Sequence, residues 1–143
     1  MYARIEQECE TAGLPFRRPE RVPNTRRALE TAEWTRRNEP DAFDALDRAL
    51  FEAHFVANRP LDDPDVLDEL LTAAGGDAGA AREAVDAGAM REALRQSMEQ
   101  AVDANVTGTP AWLLDGRLLI PGAQPRDLFE IWVARLRERP PDP

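Results

Sequence analysis

The sequence is poor in several residue types on which whole classes of function depend. Its 143 residues include one cysteine, Cys9, and one histidine, His54. A single cysteine excludes an internal disulfide and the Cys-x-x-Cys of a redox site within this sequence. A lone histidine on an apolar helix is more often a core or boundary residue than a catalytic base. We therefore predict that the sequence contains no catalytic residue.

Cys9 is the remaining candidate nucleophile, and its neighbours argue against that role. It lies late in a helix predicted over residues 2–11, where the helix dipole disfavours an anion, and acidic residues surround it. A thiolate that exchanges disulfides usually lies at a helix N-terminus with a second thiol nearby. We interpret Cys9 as a small helix residue, buried or half buried.

Lysine and long apolar runs are also missing. All 18 basic residues are arginine, which we interpret as coding bias, and the formal net charge is −9. This charge argues against nucleic acid or an anionic membrane as a partner. No apolar run could span a bilayer, and residues 1–6 lack the basic and apolar regions of a signal peptide. The chain is predicted to be cytoplasmic, with no nucleic-acid or membrane partner.

Two polar segments resemble ligand sites, but local structure explains them. The acidic run of residues 62–65 contains Asp63 and Pro64, which together are typical of a helix start. Calcium needs more oxygen ligands than this run offers. The glycine-rich segment of residues 75–79 lacks the Lys and Ser or Thr of a phosphate loop. We predict no metal and no cofactor.

Apolar residues at helical spacing predict that most of the chain is helical. Helices are expected over residues 2–11, 24–38, 41–58, from Pro64 to the Gly75-Gly76 break, and over 77–85, 88–104 and onward from Pro125. In the helix over residues 88–104, Met98 and Val102 belong to an apolar stripe expected to face inward. Trp112 is expected in the core.

Strands are predicted only near the end of the chain. Asp115-Gly116 separates two apolar runs, residues 111–114 and 117–120, and predicts a two-residue hairpin turn because both turn positions need positive φ. Thr109-Pro110 precedes the first run, where a proline can enter a sheet without losing a ladder hydrogen bond.

This order of turn, hairpin and Pro-initiated helix resembles the C-terminal half of DsbA-like members of the thioredoxin superfamily. Other segments resemble the helical insertion of the FrnE-like branch, which is related to the hydroxychromene-carboxylate isomerases. They are Gly13-Leu14, Pro23-Asn24-Thr25, Ala28-Leu29, residues 49–55, Asp65-Val66-Leu67 and Gly122-Ala123-Gln124-Pro125.

The resemblance implies an α/β, thioredoxin-like fold of the DsbA type with a large helical insertion. Residues 1–143 would form a single domain, with the insertion over about 1–104 and a cis-proline loop, hairpin and C-terminal helix over 105–138. The N-terminal βαβ segment with its Cys-x-x-Cys would be missing, so the chain would be mostly helical with one C-terminal hairpin.

The resemblance also implies a substrate-binding turn at Gly108, Thr109 and Pro110. A cis Thr109-Pro110 bond would border the site, and main chain there would pair with an extended substrate by strand addition. The substrate would be a polypeptide or a small thiol. Since an isolated hairpin is marginal and its bare edge invites pairing, we expect a homo-oligomer or pairing with the missing N-terminal segment.

Three functions remain open at this point. The first is a DsbA-like thiol–disulfide oxidoreductase, inactive as this chain alone because it has no Cys-x-x-Cys. The second is a non-catalytic module that binds peptides or proteins. The third is a relative of the glutathione-dependent isomerases and transferases. A Cys-x-x-Cys in an N-terminal segment would favour the first function, and a lone Ser or Cys there would favour the third.

Overall fold

A computed structural model describes residues 2–116 and 118–138. In chain order the elements are α1 (Tyr2–Ala12), α2 (Arg26–Asn38), α3 (Pro40–Phe55), α4 (Pro64–Ala73), α5 (Ala78–Asp86), α6 (Arg91–Asp103), β1 (Ala111–Leu114), β2 (Leu118–Pro121) and α7 (Arg126–Glu138). The chain divides into two compact units, Met1–Leu94 and Arg95–Pro143, with the boundary inside α6. No helix in the described ranges is long and apolar enough to cross a membrane.

Aspartate side chains set the starts of two helices, α4 and α5. The Asp63 carboxylate accepts a hydrogen bond from the Asp65 N–H at 2.9 Å, directly before Pro64 opens α4. The Asp77 carboxylate accepts from the Ala80 N–H at 3.0 Å and begins α5. Each cap satisfies an amide that the helix itself leaves unpaired. Both helix starts agree with the sequence prediction.

The core of the first unit lies where α2, α3, α4 and α5 pack together. Leu46 of α3 and Leu71 of α4 have no exposed surface, and Trp34 of α2 is 9% exposed. The remaining buried members of the cluster are Ala28, Leu50, Ala53, Leu61, Leu67 and Ala81. Leu46 and Leu50, one helical turn apart on α3, thus both lie in this core.

Hydrogen bonds and an ion pair connect the segment between α1 and α2 to the end of α3 and the loop after it. The Arg17 N–H donates to the Phe55 carbonyl at 2.6 Å, and the Glu20 N–H donates to the Asn58 side chain at 3.1 Å. The Arg21 guanidinium donates to both oxygens of the Asp62 carboxylate, at 2.8 and 2.6 Å. This paired geometry is the stronger arrangement for an Arg–carboxylate contact.

The Arg21 contact predicts a measurable shift in the titration of Asp62. The side-chain hydrogen bond from Arg21 lowers the pKa of Asp62 below its ordinary value. Because the folded-state pKa is depressed, the contact stabilises the fold above the unfolded-state pKa and is lost as pH falls through the folded-state pKa. In Arg21→Gln, we expect the Asp62 pKa, followed by carboxyl ¹³C NMR, to rise toward its ordinary value. Arg48→Gln, at an exposed arginine with no ion pair among the described residues, is the control. An Asp62 pKa unchanged by Arg21→Gln would contradict the assignment.

In the second unit, β1 and β2 form an antiparallel hairpin. Asp115 and Gly116 have φ of 53° and 66°, as the predicted turn requires. The pairing of Leu114 with Leu118, however, leaves three residues between the last paired positions, so the predicted two-residue connection is wrong. The second strand is described over Leu118–Pro121, and residue 117, where it was predicted to start, lies outside the described residues.

The register follows from which side chains share the covered face of the hairpin. A slip of one residue moves every side chain of a strand to the opposite face. With the observed pairing, Ile120 lies opposite Trp112, on the side where the Trp112 ring contacts Phe129 of α7, and Ile120 is 4% exposed. The observed register therefore agrees with the burial of Ile120. The register predicted from a two-residue turn differs by one residue and would place Ile120 on the opposite face from Trp112.

Several residues predicted to lie inside are exposed. Met98 and Val102 of α6 are each 71% exposed and Trp112 is 48% exposed, so these predictions are wrong. The ring of Trp112 contacts Phe129 edge to face, with centroids 5.2 Å apart, which leaves much of the ring uncovered. An apolar stripe shows which face of a helix is suited to burial, but burial also needs a neighbouring element to cover it.

Candidate functional site

The predicted binding turn joins α6 to β1. After α6 the chain reverses at Asn105, whose φ is 58°, and the Val106 N–H donates to the Ala101 carbonyl at 2.8 Å. This left-handed closure is a common way to satisfy the last carbonyls of a helix. Gly108, Thr109 and Pro110 follow and are all exposed. The Thr109–Pro110 bond is cis, which agrees with the prediction.

The turn is fixed to the hairpin on one side and open on the other. The Pro110 carbonyl accepts a hydrogen bond from the Gly122 N–H at 2.8 Å, which extends the hairpin beyond the pairing of Ala111 with Pro121. The main-chain N–H and C=O of Thr109 have no hydrogen-bond partner among residues 2–116 and 118–138. Thr109 therefore offers a donor and an acceptor to a ligand.

The open main chain continues along β1. In an antiparallel pair the main-chain groups of successive residues point alternately toward and away from the partner strand. Since Pro110 bonds toward β2, the groups of Ala111 and Leu113 point to the outer edge of β1. The sheet has two strands within the described ranges, so this edge has no strand beside it there. We call Thr109, Ala111 and Leu113 the β1 outer edge.

Apolar side chains flank the β1 outer edge. Leu113 is 49% exposed. On the other face of the strand, Trp112 contacts Phe129, and Phe129 contacts Trp132, edge to face with centroids 5.5 Å apart. These aromatic contacts hold α7 against the hairpin. The edge thus combines unpaired main chain with apolar surface, the combination that strand addition uses.

The other chemically interesting residues lie in the first unit. Cys9 is half buried in α1, in agreement with the interpretation from the sequence. The His54 ring lies edge to face on Phe55, with centroids 4.5 Å apart, and lines a pocket of about 180 Å³. Among the described residues, no group of three or more His, Cys, Asp or Glu could hold a metal ion.

The sequence located the turn at Gly108, Thr109 and Pro110 and predicted a bare hairpin edge that invites pairing with another chain. It did not show that the main-chain groups of Ala111 and Leu113 are the ones on that edge. Which amides point outward depends on the pairing of Pro110 with Gly122. The one signal in the sequence is Pro110 itself, because a proline entering a strand limits the positions from which the ladder can start.

Comparisons with known proteins agree with this arrangement of helices, turn and hairpin. The uncharacterized protein YwbO of Bacillus subtilis (strain 168) is 29% identical over 82 residues, which are 57% of this chain and 40% of YwbO. The crystal structure of a probable DsbA oxidoreductase from Streptomyces coelicolor superimposes with a TM-score of 0.84 at 24% identity, over 96% of this chain and 59% of that one. At that identity the match shows a shared fold.

This chain therefore spans about half of the length of these relatives. A protein-family model covers more of the chain than the sequence match to YwbO does, since it matches residues 1–132. This range includes α1 to α6, both strands and the first half of α7. Taken with the turn and hairpin geometry, this match shows that the chain belongs to the family of DSBA-like thioredoxin domains.

Proposed function

We propose that residues 1–143 supply the substrate-binding side of a thiol–disulfide oxidoreductase that acts on polypeptides. The observation that carries this proposal is the unpaired main chain of Thr109, which continues along the β1 outer edge. An extended polypeptide placed there forms main-chain hydrogen bonds with Thr109, Ala111 and Leu113. Its side chains alternate between the two faces, so that every second one meets apolar surface such as Leu113.

The exchanging dithiol comes from outside residues 1–143, because the sequence contains one cysteine. In the exchange, a thiolate attacks one sulfur of a disulfide, the new S–S bond forms a mixed disulfide, and the old S–S bond breaks to release a thiolate. A second thiol then resolves the mixed disulfide, so that one dithiol is oxidised as one disulfide is reduced. Strand addition at the β1 outer edge keeps the substrate in a fixed position during the thiol–disulfide exchange.

Binding to the edge is tested with extended peptides on the ¹⁵N-labelled chain. An uncharged peptide of alternating valine and threonine is expected to shift the amide signals of Thr109, Ala111 and Leu113. N-methylation on alternate residues removes the donors from one edge of the peptide. We expect loss of binding when the methylated edge is the one that pairs, and retained binding when the other set of residues is methylated. Equal binding of both methylated peptides would show that main-chain pairing is not involved.

The assignment of the chemistry is tested by activity. Residues 1–143 are expected to give no reduction of insulin by dithiothreitol above the uncatalysed background, because Cys9 has no second thiol in the chain. Cys9→Ser should behave identically. A rate above background that disappears in Cys9→Ser would show that Cys9 is a redox residue after all.

A non-catalytic binding module is the second candidate. The single cysteine favours it, since peptide binding at the β1 outer edge needs no thiol. Both candidate functions predict the same binding of extended peptides. They differ because the oxidoreductase also needs a segment with two thiols, whereas the binding module does not. We also predict that the chain belongs to the FrnE-like branch. We predict further that it either forms a homo-oligomer through the open edge or pairs with an N-terminal segment.

A further inference from the structure

The outward side of α3 carries an exposed aromatic ring that stacks on a neighbouring ring. Phe51 is 60% exposed. Its ring stacks on Phe55, with centroids 6.2 Å apart and planes 18° apart, and Phe55 stacks in turn on Phe16 at 6.0 Å and 23°. The stack connects α3 to the segment after α1, so that Phe51 is held by its neighbours while much of its surface meets water. Exposed aromatic rings are enriched at contact surfaces between proteins.

Exposed carboxylates lie on the same helix as Phe51. Asp44 and Asp47 precede Phe51 by two turns and one turn of α3, and Glu52 follows it. All three are exposed, and none forms an ion pair with another residue in the described ranges. Arg48 is the one cation on the same stretch of helix and is likewise unpaired. We call Asp44, Asp47, Phe51 and Glu52 the α3 outer face.

The whole first unit adds to this negative field. Residues 1–94 contain 20 acidic side chains and 12 arginines, a formal charge of −8. Most of those arginines already pair with carboxylates, as Arg21 does with Asp62 and Arg82 with Asp68. A cationic partner would therefore be attracted from a distance and would find free carboxylates at the α3 outer face.

We propose that the α3 outer face docks a basic polypeptide segment that also carries apolar or aromatic side chains. Arginine or lysine side chains of the partner pair with Asp44, Asp47 and Glu52. An apolar side chain, or a guanidinium lying flat, covers the exposed surface of Phe51. A second copy of this chain fits less well, because it would present the same excess of carboxylates. This surface is separate from the β1 outer edge, and the proposal does not depend on thiol chemistry.

The test measures binding of a fluorescent peptide of arginines alternating with phenylalanines to the full chain by anisotropy. We expect this peptide to bind and its counterpart with glutamate in place of arginine not to bind. Phe51→Ser should weaken binding about tenfold, the loss of one aromatic anchor contact. The double change Asp44→Asn and Asp47→Asn should weaken it about threefold, and added salt should reduce the difference between this variant and the wild type.

Two matched variants on the same unit serve as controls. Leu29→Ser removes an apolar side chain that is 54% exposed on α2, and Glu83→Gln removes an exposed carboxylate on α5. Both should bind the peptide as the wild type does, and circular dichroism should show that all variants remain folded. Equal binding of the glutamate peptide, or equal weakening by the controls, would overturn the proposal. So would a dimer in sedimentation equilibrium that Phe51→Ser abolishes, since the face would then belong to a second copy.

Discussion

Leu71→Ala is expected to lower the free energy of unfolding of the first unit by about 2–5 kcal/mol. Leu71 has no exposed surface and lies in the cluster that also contains Leu46 and Leu67. Truncation removes buried apolar surface and leaves a cavity, because α3, α4 and α5 are held apart by their other side chains. Urea unfolding followed by circular dichroism at the helical signal measures the change.

The matched control for Leu71→Ala is Leu29→Ala on α2. Leu29 is 54% exposed, so its truncation should change the free energy of unfolding by less than about 0.5 kcal/mol. A loss at Leu71 below about 1 kcal/mol, much less than core truncations usually cost, would mean that the neighbouring helices collapse into the space.

Gly76→Ala is expected to destabilise the first unit by about 1–3 kcal/mol, the usual cost of overpacking. A Cβ atom at Gly76 would lie 2.4 Å from the Leu71 Cδ1 and 2.6 Å from the Glu39 Oε2. The Leu71 side chain is fully buried in the packed core, so it cannot shift without displacing its neighbours. The Glu39 carboxylate accepts hydrogen bonds from the Asp77 N–H at 3.2 and 3.0 Å, and would lose them by turning away.

Gly79→Ala is the comparison for Gly76→Ala, since it makes the same chemical change three residues later, inside α5. A Cβ atom at Gly79 would meet its nearest neighbour, the Asp77 carboxylate, at 3.4 Å. The substitution should be neutral or should stabilise α5 by up to about 1 kcal/mol, because alanine is the better helix former. Thermal unfolding of both variants separates the two outcomes. Equal effects would show that loss of glycine flexibility, and not the contact with Leu71, determines the change.

The sequence could predict features that depend on near neighbours. Asp63 with Pro64 and Asp77 act on amides within three residues, so the helix starts are encoded locally. The same holds for Asp115 and Gly116, whose positive φ values follow from the residues themselves. Gly108, Thr109 and Pro110 could be located as an exposed turn for the same reason.

Features that depend on distant partners could not be predicted. The exposure of Met98 and Trp112 depends on which elements cover them, and the apolar pattern contains no information on that. The hairpin register places the buried Ile120 opposite Trp112, and the turn residues alone did not indicate this pairing. The stack of Phe16 on Phe55 joins residues far apart in the chain, so the anchored position of Phe51 had no sequence signal.

The boundary between the two compact units lies inside α6, and this has a practical consequence for cutting the chain. Main-chain hydrogen bonds of a helix run from each residue to the fourth before it, so those around Leu94 and Arg95 cross the boundary. A fragment ending at Leu94 would lose them and leave carbonyls without partners. A fragment carrying the helical unit should therefore extend to Asp103. Protease cleavage near Arg95 would report the opening of a helix, and not the mobility of a linker.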